Sequence, residues 1–304
     1  MKTYAGIDLH SSNNYIGVID AKDNRLYSRR HHNLMPDILK VLGKFKTTLQ
    51  GVVVESTYNW YWLVDGLMDQ GYTVHLANPN AIQAYDGLKH TDDKWDSFWL
   101  AHMLRLGILP EGYIYPKEHR PVRDLARKRM FLVRHKTAHI LSLQSFIQRC
   151  CGIKISAGDI RNLSVEVLEK WLKEEYLVLT AQASLDTITF LKEKIKCLEK
   201  AIIQRVKLRE GFRQLLTIPG IGNILAMTIM LEVGDINRFT KVGNFVSYCR
   251  CVPSQRLSDG KSKGVGNRKN GNRYLAMAFV EAAHYAAIWE PAIKRYYQRK
   301  CKKR

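Results

Sequence analysis

The chain has 304 residues, 46% of them hydrophobic, which supports cores for two modest domains plus a linking element and excludes global disorder. It has no apolar run of about eighteen residues and opens directly into a strand pattern, so neither a membrane span nor a signal peptide is expected, and the protein is expected to be cytoplasmic. The net charge of +20 is uneven, with 11 Lys/Arg against 12 Asp/Glu over Met1–Tyr115 but 16 against 3 over Arg238–Arg304; this points to a polyanion, nucleic acid foremost, although a basic solvated face satisfies the same numbers.

The first third reads as α/β. Thr3–His10 and Asn14–Asp20 are short apolar strands around a polar turn, and Arg25–His32 completes an antiparallel meander. Asp37–Phe45 has helical spacing, Gly51–Glu55 is a buried-type strand, Trp60–Asp69 a helix, Thr73–Ala77 a strand, and Asp96–Leu106 a helix. Three meandering strands followed by alternating helices and strands is the order of ribonuclease-H-like folds. Sugar kinases and actin-like ATPases share it, so the fold alone decides little. A kinase also needs glycine-rich phosphate loops, and the turn around Asn13 lacks the glycine expected there.

The middle third is helical. Arg120–Cys150 carries one apolar stripe, a break follows near Cys151–Asp159, and Ile188, Leu191, Ile195, Leu198 and Ile202 alternate three and four residues apart. Two heptads fit an intramolecular hairpin as well as an intermolecular coiled coil. The last third opens with Ile218-Pro-Gly-Ile-Gly222, which resembles a helix-hairpin-helix turn; Gly220 and Gly222 would let backbone N–H groups approach a phosphate, though a plain helix–helix turn has the same residues. A glycine-rich basic loop follows, then a helix over Arg273–Ala287, then a basic tail, Lys294–Arg304, expected to fray. The domains expected are 1–118, 119–210 and 211–304. The six cysteines form no Cys-x-x-Cys pair and read as reduced thiols.

Asp8 and Glu55 each end an apolar strand, and Asp93 and Asp96 share one face at the start of a helix. Singly, Asp8 fits a turn, Glu55 a lysine partner, and the aspartates a favourable helix N-terminus. Together, in this order, they fit ligands for divalent cations such as Mg²⁺ or Mn²⁺, which prefer oxygen and serve phosphoryl transfer. In the loop, Lys261, Lys263, Arg268, Lys269 and Arg273 would track phosphates. Ser258 there reads as a nucleophile, a phosphate contact or a turn residue, and no histidine lies nearby in sequence to activate it.

These features in sequence closely resemble the DEDD-type transposases of insertion-sequence family 110: Gly-Ile-Asp8-x-His, Glu55 after valines, Asp93-x-x-Asp96 before Leu100-Ala101, Ile-Pro-Gly-Ile-Gly with Glu232-x-Gly-Asp235 and Arg238-Phe239, then Ser258 and Gly271-Asn-Arg-Tyr-Leu275. The resemblance implies an N-terminal domain like the RuvC resolvase, with Asp8, Glu55, Asp93 and Asp96 as metal ligands. It implies a C-terminal transposase domain whose serine, matched by Ser258, forms a covalent phosphoserine link to DNA. It further implies nucleoid association, a tetramer with composite active sites, donor and target DNA as substrates, and a bridge RNA as guide. Two departures stand out. Asp259 separates Ser258 from Gly260 where the family has serine directly before glycine, which keeps Ser254 and Ser262 as weaker candidates; and Asp92 stands between Thr91 and Asp93, so Asp92 competes for the third ligand position. The alternative function is a hydrolytic RuvC-like resolvase using water instead of serine.

Overall fold

A computed structural model describes residues 1–82, 92–253, 257–265 and 270–302. The chain divides into two compact units, one of Met1–Lys117 with the segment 254–270, the other of Glu118–Pro253 with Gly271–Arg304.

In the first unit, β1 (Thr3–Leu9), β2 (Asn13–Asp20), β3 (Arg25–His32), β4 (Leu49–Glu55) and β5 (Val74–Ala77) form one sheet in the order β3-β2-β1-β4-β5. The β1–β2 and β2–β3 pairs are antiparallel, and β1–β4 and β4–β5 are parallel, as expected for a meander continued by crossovers. Ala5, Ile7 and Leu9 face α1 (Met35–Gly43) and α2 (Tyr61–Asp69), whose Ile38, Leu42, Leu63 and Leu67 complete a fully buried core. On the other face lies α3 (Asp93–Leu106), with Leu100 and Met103 packed on Val53 and with Phe98 and Ala101 packed on Ile19.

Two glycines fix how closely α3 approaches. Gly6 and Gly17 are cross-strand partners, and a Cβ added at Gly6 would meet the Ser97 carbonyl oxygen at 2.0 Å. One at Gly17 would meet Ser97 Oγ at 2.7 Å. The helix backbone therefore rests directly on the sheet, where any side chain at Gly6 would collide with it. The helix begins at Asp93, three residues earlier than its apolar periodicity indicated, because Asp92 is its N-cap and accepts from the Trp95 backbone N–H at 2.7 Å.

The second unit is helical. In it α4 (Arg120–Cys151) and α6 (Glu175–Val206) are long helices, with α5 (Val165–Leu172), which periodicity had not revealed, between them in sequence. Leu143 and Ile147 of α4 share a cluster with Ala181 and Leu185 of α6, while Ala126 clusters with Ile202 and Val206. The start of one helix thus meets the end of the other, an antiparallel pairing that buries Ile188, Leu191, Ile195 and Ile202 within this chain. Beyond it come α7 (Glu210–Leu216), α8 (Asn223–Val233), α9 (Val242–Tyr248) and α10 (Arg273–Trp289) around a common core. The expected frayed tail is instead α11 (Pro291–Cys301), with Pro291 in its first turn and the Glu290 carboxylate as N-cap. Among the described residues no helix is long and apolar enough to cross a membrane.

Candidate active site

The carboxylates come together at one end of the sheet. Parallel pairing of β1 with β4 places Ile7 beside Val54, so Asp8 and Glu55, the next residues, are neighbours on the face that α3 covers. The close seating of α3 then delivers Asp93 and Asp96 from its first turn. Asp8 is only 3% exposed, whereas Glu55, Asp93 and Asp96 are half-buried.

Burial and neighbouring charge make Asp8, Glu55 and Asp96 harder to ionise. Burial pushes the Glu55 carboxyl up to about 7, reinforced by a hydrogen bond in which Glu55 keeps the proton and Asp8 accepts, and by the charges of Asp8 and Asp96. Asp96 is pushed up to about 6 by burial first, then by Asp8, Asp93 and Asp92. Asp8 is also raised, by burial, with Glu55, His10 and Arg30 opposing. Asp96 Oδ1 is shut off from water and has no hydrogen-bond partner among the described residues. A buried, unpartnered carboxylate oxygen amid mutually repelling acids fits a hard divalent cation. Asp8, Glu55, Asp93 and Asp96 are the residues that would hold it.

His10 belongs to this cluster although sequence reasoning did not select it. Its Nε2 lies 3.2 Å from Asp8 Oδ2 and 3.3 Å from Asp93 Oδ1, and Asp8, His10 and Asp93 each offer a donor atom within 4.8 Å of the others. The signal was Asp-x-His, since residues two apart leave a strand on the same face. Arg30 of β3 also reaches Asp93, donating to Oδ2 at 2.5 Å; no sequence pattern joins these two. Asp92 is engaged as the N-cap, while Asp93 faces Asp8 and His10.

Ser258 is exposed on a small hairpin where the sequence had suggested only a loop. The hairpin pairs β6 (Leu257–Ser258) with β7 (Lys261–Ser262), Ser258 opposite Lys261. Its turn residues, Asp259 and Gly260, have φ of 51° and 69°, the left-handed pair that a two-residue turn requires. The aspartate that separates serine from glycine is therefore a turn residue. Lys261, Ser262 and Lys263 are exposed; Ser254, Arg268, Lys269 and Thr91 lie outside the described residues.

The remaining expected nucleic-acid contacts are in the second unit. Gly220 has φ of +86°, and a Cβ there would meet the Ala282 carbonyl oxygen at 2.2 Å, so α10 itself requires this glycine. Gly222 precedes α8 and borders open space. Arg273 is exposed at the start of α10. Nearby, Glu232 is buried and receives Arg127 Nε and Nη2 at 2.6 and 2.7 Å and Asn272 Nδ2 at 2.8 Å. Arg250 Nη2 donates to the Gly271 carbonyl at 2.8 Å, and Asn272 N–H to that of Tyr248 at 2.6 Å.

Residues 5–151 match the DEDD transposase family of the IS110 group, and residues 212–298 match the transposase IS116/IS110/IS902 family. The transposase of insertion sequence IS1328 from Yersinia enterocolitica is 24% identical over 287 residues, covering 92% of this chain and 83% of that protein. The transposase-type protein y4qE of Sinorhizobium fredii is 26% identical over 226 residues, covering 74% of this chain but 55% of y4qE, so the chain spans about half the length of that relative. Among solved structures, T. thermophilus RuvC in complex with a Holliday junction substrate aligns over 37% of this chain and 100% of its own, with 16% identity and a TM-score of 0.27.

Proposed function

Because the chain belongs to the IS110 family of DEDD transposases, we propose that it catalyses DNA strand exchange for an insertion sequence, with Asp8, Glu55, Asp93 and Asp96 as the metal-binding set and Ser258 as nucleophile. The observation that carries this reading is the convergence of four carboxylates, in which burial raises the affinity of Asp8, Glu55 and Asp96 for protons, and by the same electrostatics for a cation. When bound, Mg²⁺ or Mn²⁺ supplies polarisation of the scissile phosphate and neutralises developing charge. His10 and Arg30 hold Asp8 and Asp93 in position. Lys261, opposite Ser258 in the hairpin, and Lys263, just after it, attract the phosphate backbone.

Ser258 Oγ attacks phosphorus; the Oγ–P bond forms, the bond to one strand oxygen breaks, and that oxygen leaves as a hydroxyl after taking up a proton while the serine proton passes to water. The phosphoserine retains the phosphodiester energy, so a hydroxyl from another strand can reverse the step and free the serine without ATP. The family resemblance further supports a homotetramer acting on donor and target DNA under a bridge RNA, while Gly220 and Gly222 of the hairpin turn and Arg268, Lys269 and Arg273 of the basic loop are proposed as nucleic-acid contacts from their residue types.

One observation favours water as the nucleophile instead: among the described residues the acids of β1, β4 and α3 interact with one another, with His10 and with Arg30, and with no side chain of the serine hairpin by hydrogen bond or ion pair. A single experiment separates the readings. Protein, element-derived RNA and labelled donor and target DNA are incubated with Mg²⁺ and resolved by denaturing electrophoresis. An adduct that survives denaturation and is lost in Ser258→Ala supports serine chemistry; cleaved ends without adduct in the wild type support hydrolysis.

A further inference from the structure

Arg30 brings more hydrogen-bond donors to the carboxylate cluster than its contact with Asp93 uses. Tyr15 is the cross-strand partner of Asp8 on one side and of Arg30 on the other. Asp8, Tyr15 and Arg30 therefore form a row across β1, β2 and β3 on the face that α3 covers. The row ends at Arg30, because β3 is the edge strand of the sheet. In its middle the Tyr15 hydroxyl lies 2.9 Å from Ser28 Oγ, so the row is polar along its length. The Arg30 side chain is 61% exposed and gives one N–H, from Nη2, to Asp93 Oδ2. A guanidinium carries five N–H donors in a rigid plane. Among the described residues Asp93 is the one hydrogen-bond partner of the Arg30 side chain, which leaves the rest of that fork available at the rim of the cluster. Arg29, one residue away, carries the same charge but stands opposite Ile16, whose side chain belongs to the core under α1 and α2. Arg29 is thus on the other face of the sheet.

We propose that Arg30 is a phosphate clamp: with one N–H on Asp93, it grips a non-bridging oxygen of the DNA strand presented to the carboxylates. The charge of the cluster calls for such a group. Asp8, Glu55, Asp93 and Asp96 repel an incoming phosphate. Among the described residues Arg30 is the exposed, permanently charged cation that touches them, and its charge acts on Asp8 as well as on Asp93. Arginine meets phosphate through paired N–H···O bonds, stronger and more directional than the point charge of a lysine. Bridging Asp93 and a phosphate, one planar group fixes the strand relative to the acids that would hold the cation. The inference rests on the proposed action of this site on DNA, and it holds for either nucleophile, serine or water.

The test is binding of labelled donor DNA to the full-length protein carrying its element-derived RNA, read by fluorescence anisotropy over a range of salt concentrations. Ca²⁺ stands in for Mg²⁺ to neutralise the acids, since it too takes oxygen ligands. Arg30→Gln should weaken binding about tenfold, the loss of a charge-assisted contact. It should also lower the steepness of the log–log salt dependence by about 0.9, the share of one phosphate. Arg30→Lys should restore the slope but only part of the affinity, because the charge returns without the fork. Arg29→Gln, on the other face, should change neither. Both arginines are exposed, so the variants are expected to keep the Tm of the wild type. An unchanged slope in Arg30→Gln overturns the proposal; if the Ca²⁺-induced rise in Tm falls at the same time, Arg30 is a support for Asp93 alone. An equal fall in Arg29→Gln also overturns it, since net charge is then the cause. Failure here while the wild type still forms an adduct or cleaves DNA with Mg²⁺ defeats only the clamp, whereas absence of both products defeats the function it rests on.

Discussion

Between pH 4.5, the ordinary value for a glutamate, and about 7, folded metal-free protein holds a proton on Glu55 that the unfolded chain has released. The folded form binds more protons across that window, so its stability falls as pH rises through it, and Asp96 adds the same sign between 3.8 and about 6. A cation must displace those protons. The Mg²⁺-induced rise in Tm is therefore expected to be small at pH 5.5 and to grow until about pH 8, as measured by thermal denaturation with and without the ion; a rise independent of pH would remove Glu55 and Asp96 from the ligand set. Asp8→Asn should abolish the rise, while Ser258→Ala should preserve it. At this scale the carboxylates were legible because an acid after an apolar strand is unusual. His10 was within reach of sequence reasoning through its Asp8-x-His10 spacing but was not selected, because only the acids were sought as ligands, and Arg30 reaches Asp93 through pairing that no local pattern encodes. Asp259 looked like an interruption of a motif, yet Asp-Gly between short extended pairs is itself a turn signature.

The elements meet through contacts that tolerate little change. Gly6→Ala places a methyl against the Ser97 carbonyl and must lift α3 from the sheet. Overpacking of this kind costs about 1–3 kcal/mol, and urea denaturation should show a loss at the upper end of that range, accompanied by weaker Mg²⁺ stabilisation as Asp93 and Asp96 move away from Asp8. A variant with normal metal response would show that helix seating does not set the site. In the second unit, Arg127→Met leaves Glu232, whose side chain is 2% exposed, without its bidentate partner. Removing one member of a buried pair costs about 3–5 kcal/mol, and chemical denaturation should show a loss near that, reduced in the double variant Arg127→Met/Glu232→Gln. Strand order and the long helices were legible from periodicity. The seating of α3 was available in Gly6 and Gly17 but needed their cross-strand pairing to be read, and α5 was too short for its period to stand out.

For the whole molecule, charge makes the clearest demand. Lys294, Arg295, Arg299 and Lys300 are all exposed on α11. Binding to duplex DNA should weaken steeply with salt, and replacing these four by alanine should flatten the log–log slope by up to about 0.9 per lost phosphate contact. Measured by fluorescence anisotropy, an unchanged slope would place the DNA elsewhere. Charge asymmetry was visible in sequence from the start, but the helix that displays it was not, because its few apolar residues give no buried stripe. The hydrogen bonds joining Arg250 to Gly271 and Tyr248 to Asn272 carry a last consequence, for the history of such proteins rather than their chemistry. They pin together the two ends of the twenty-residue excursion that bears Ser258. Once its ends are pinned, doubling the length of a flexible loop costs only about 0.6 kcal/mol. A residue added between those anchors, as Asp259 stands between Ser258 and Gly260, therefore need not disturb the helices on either side.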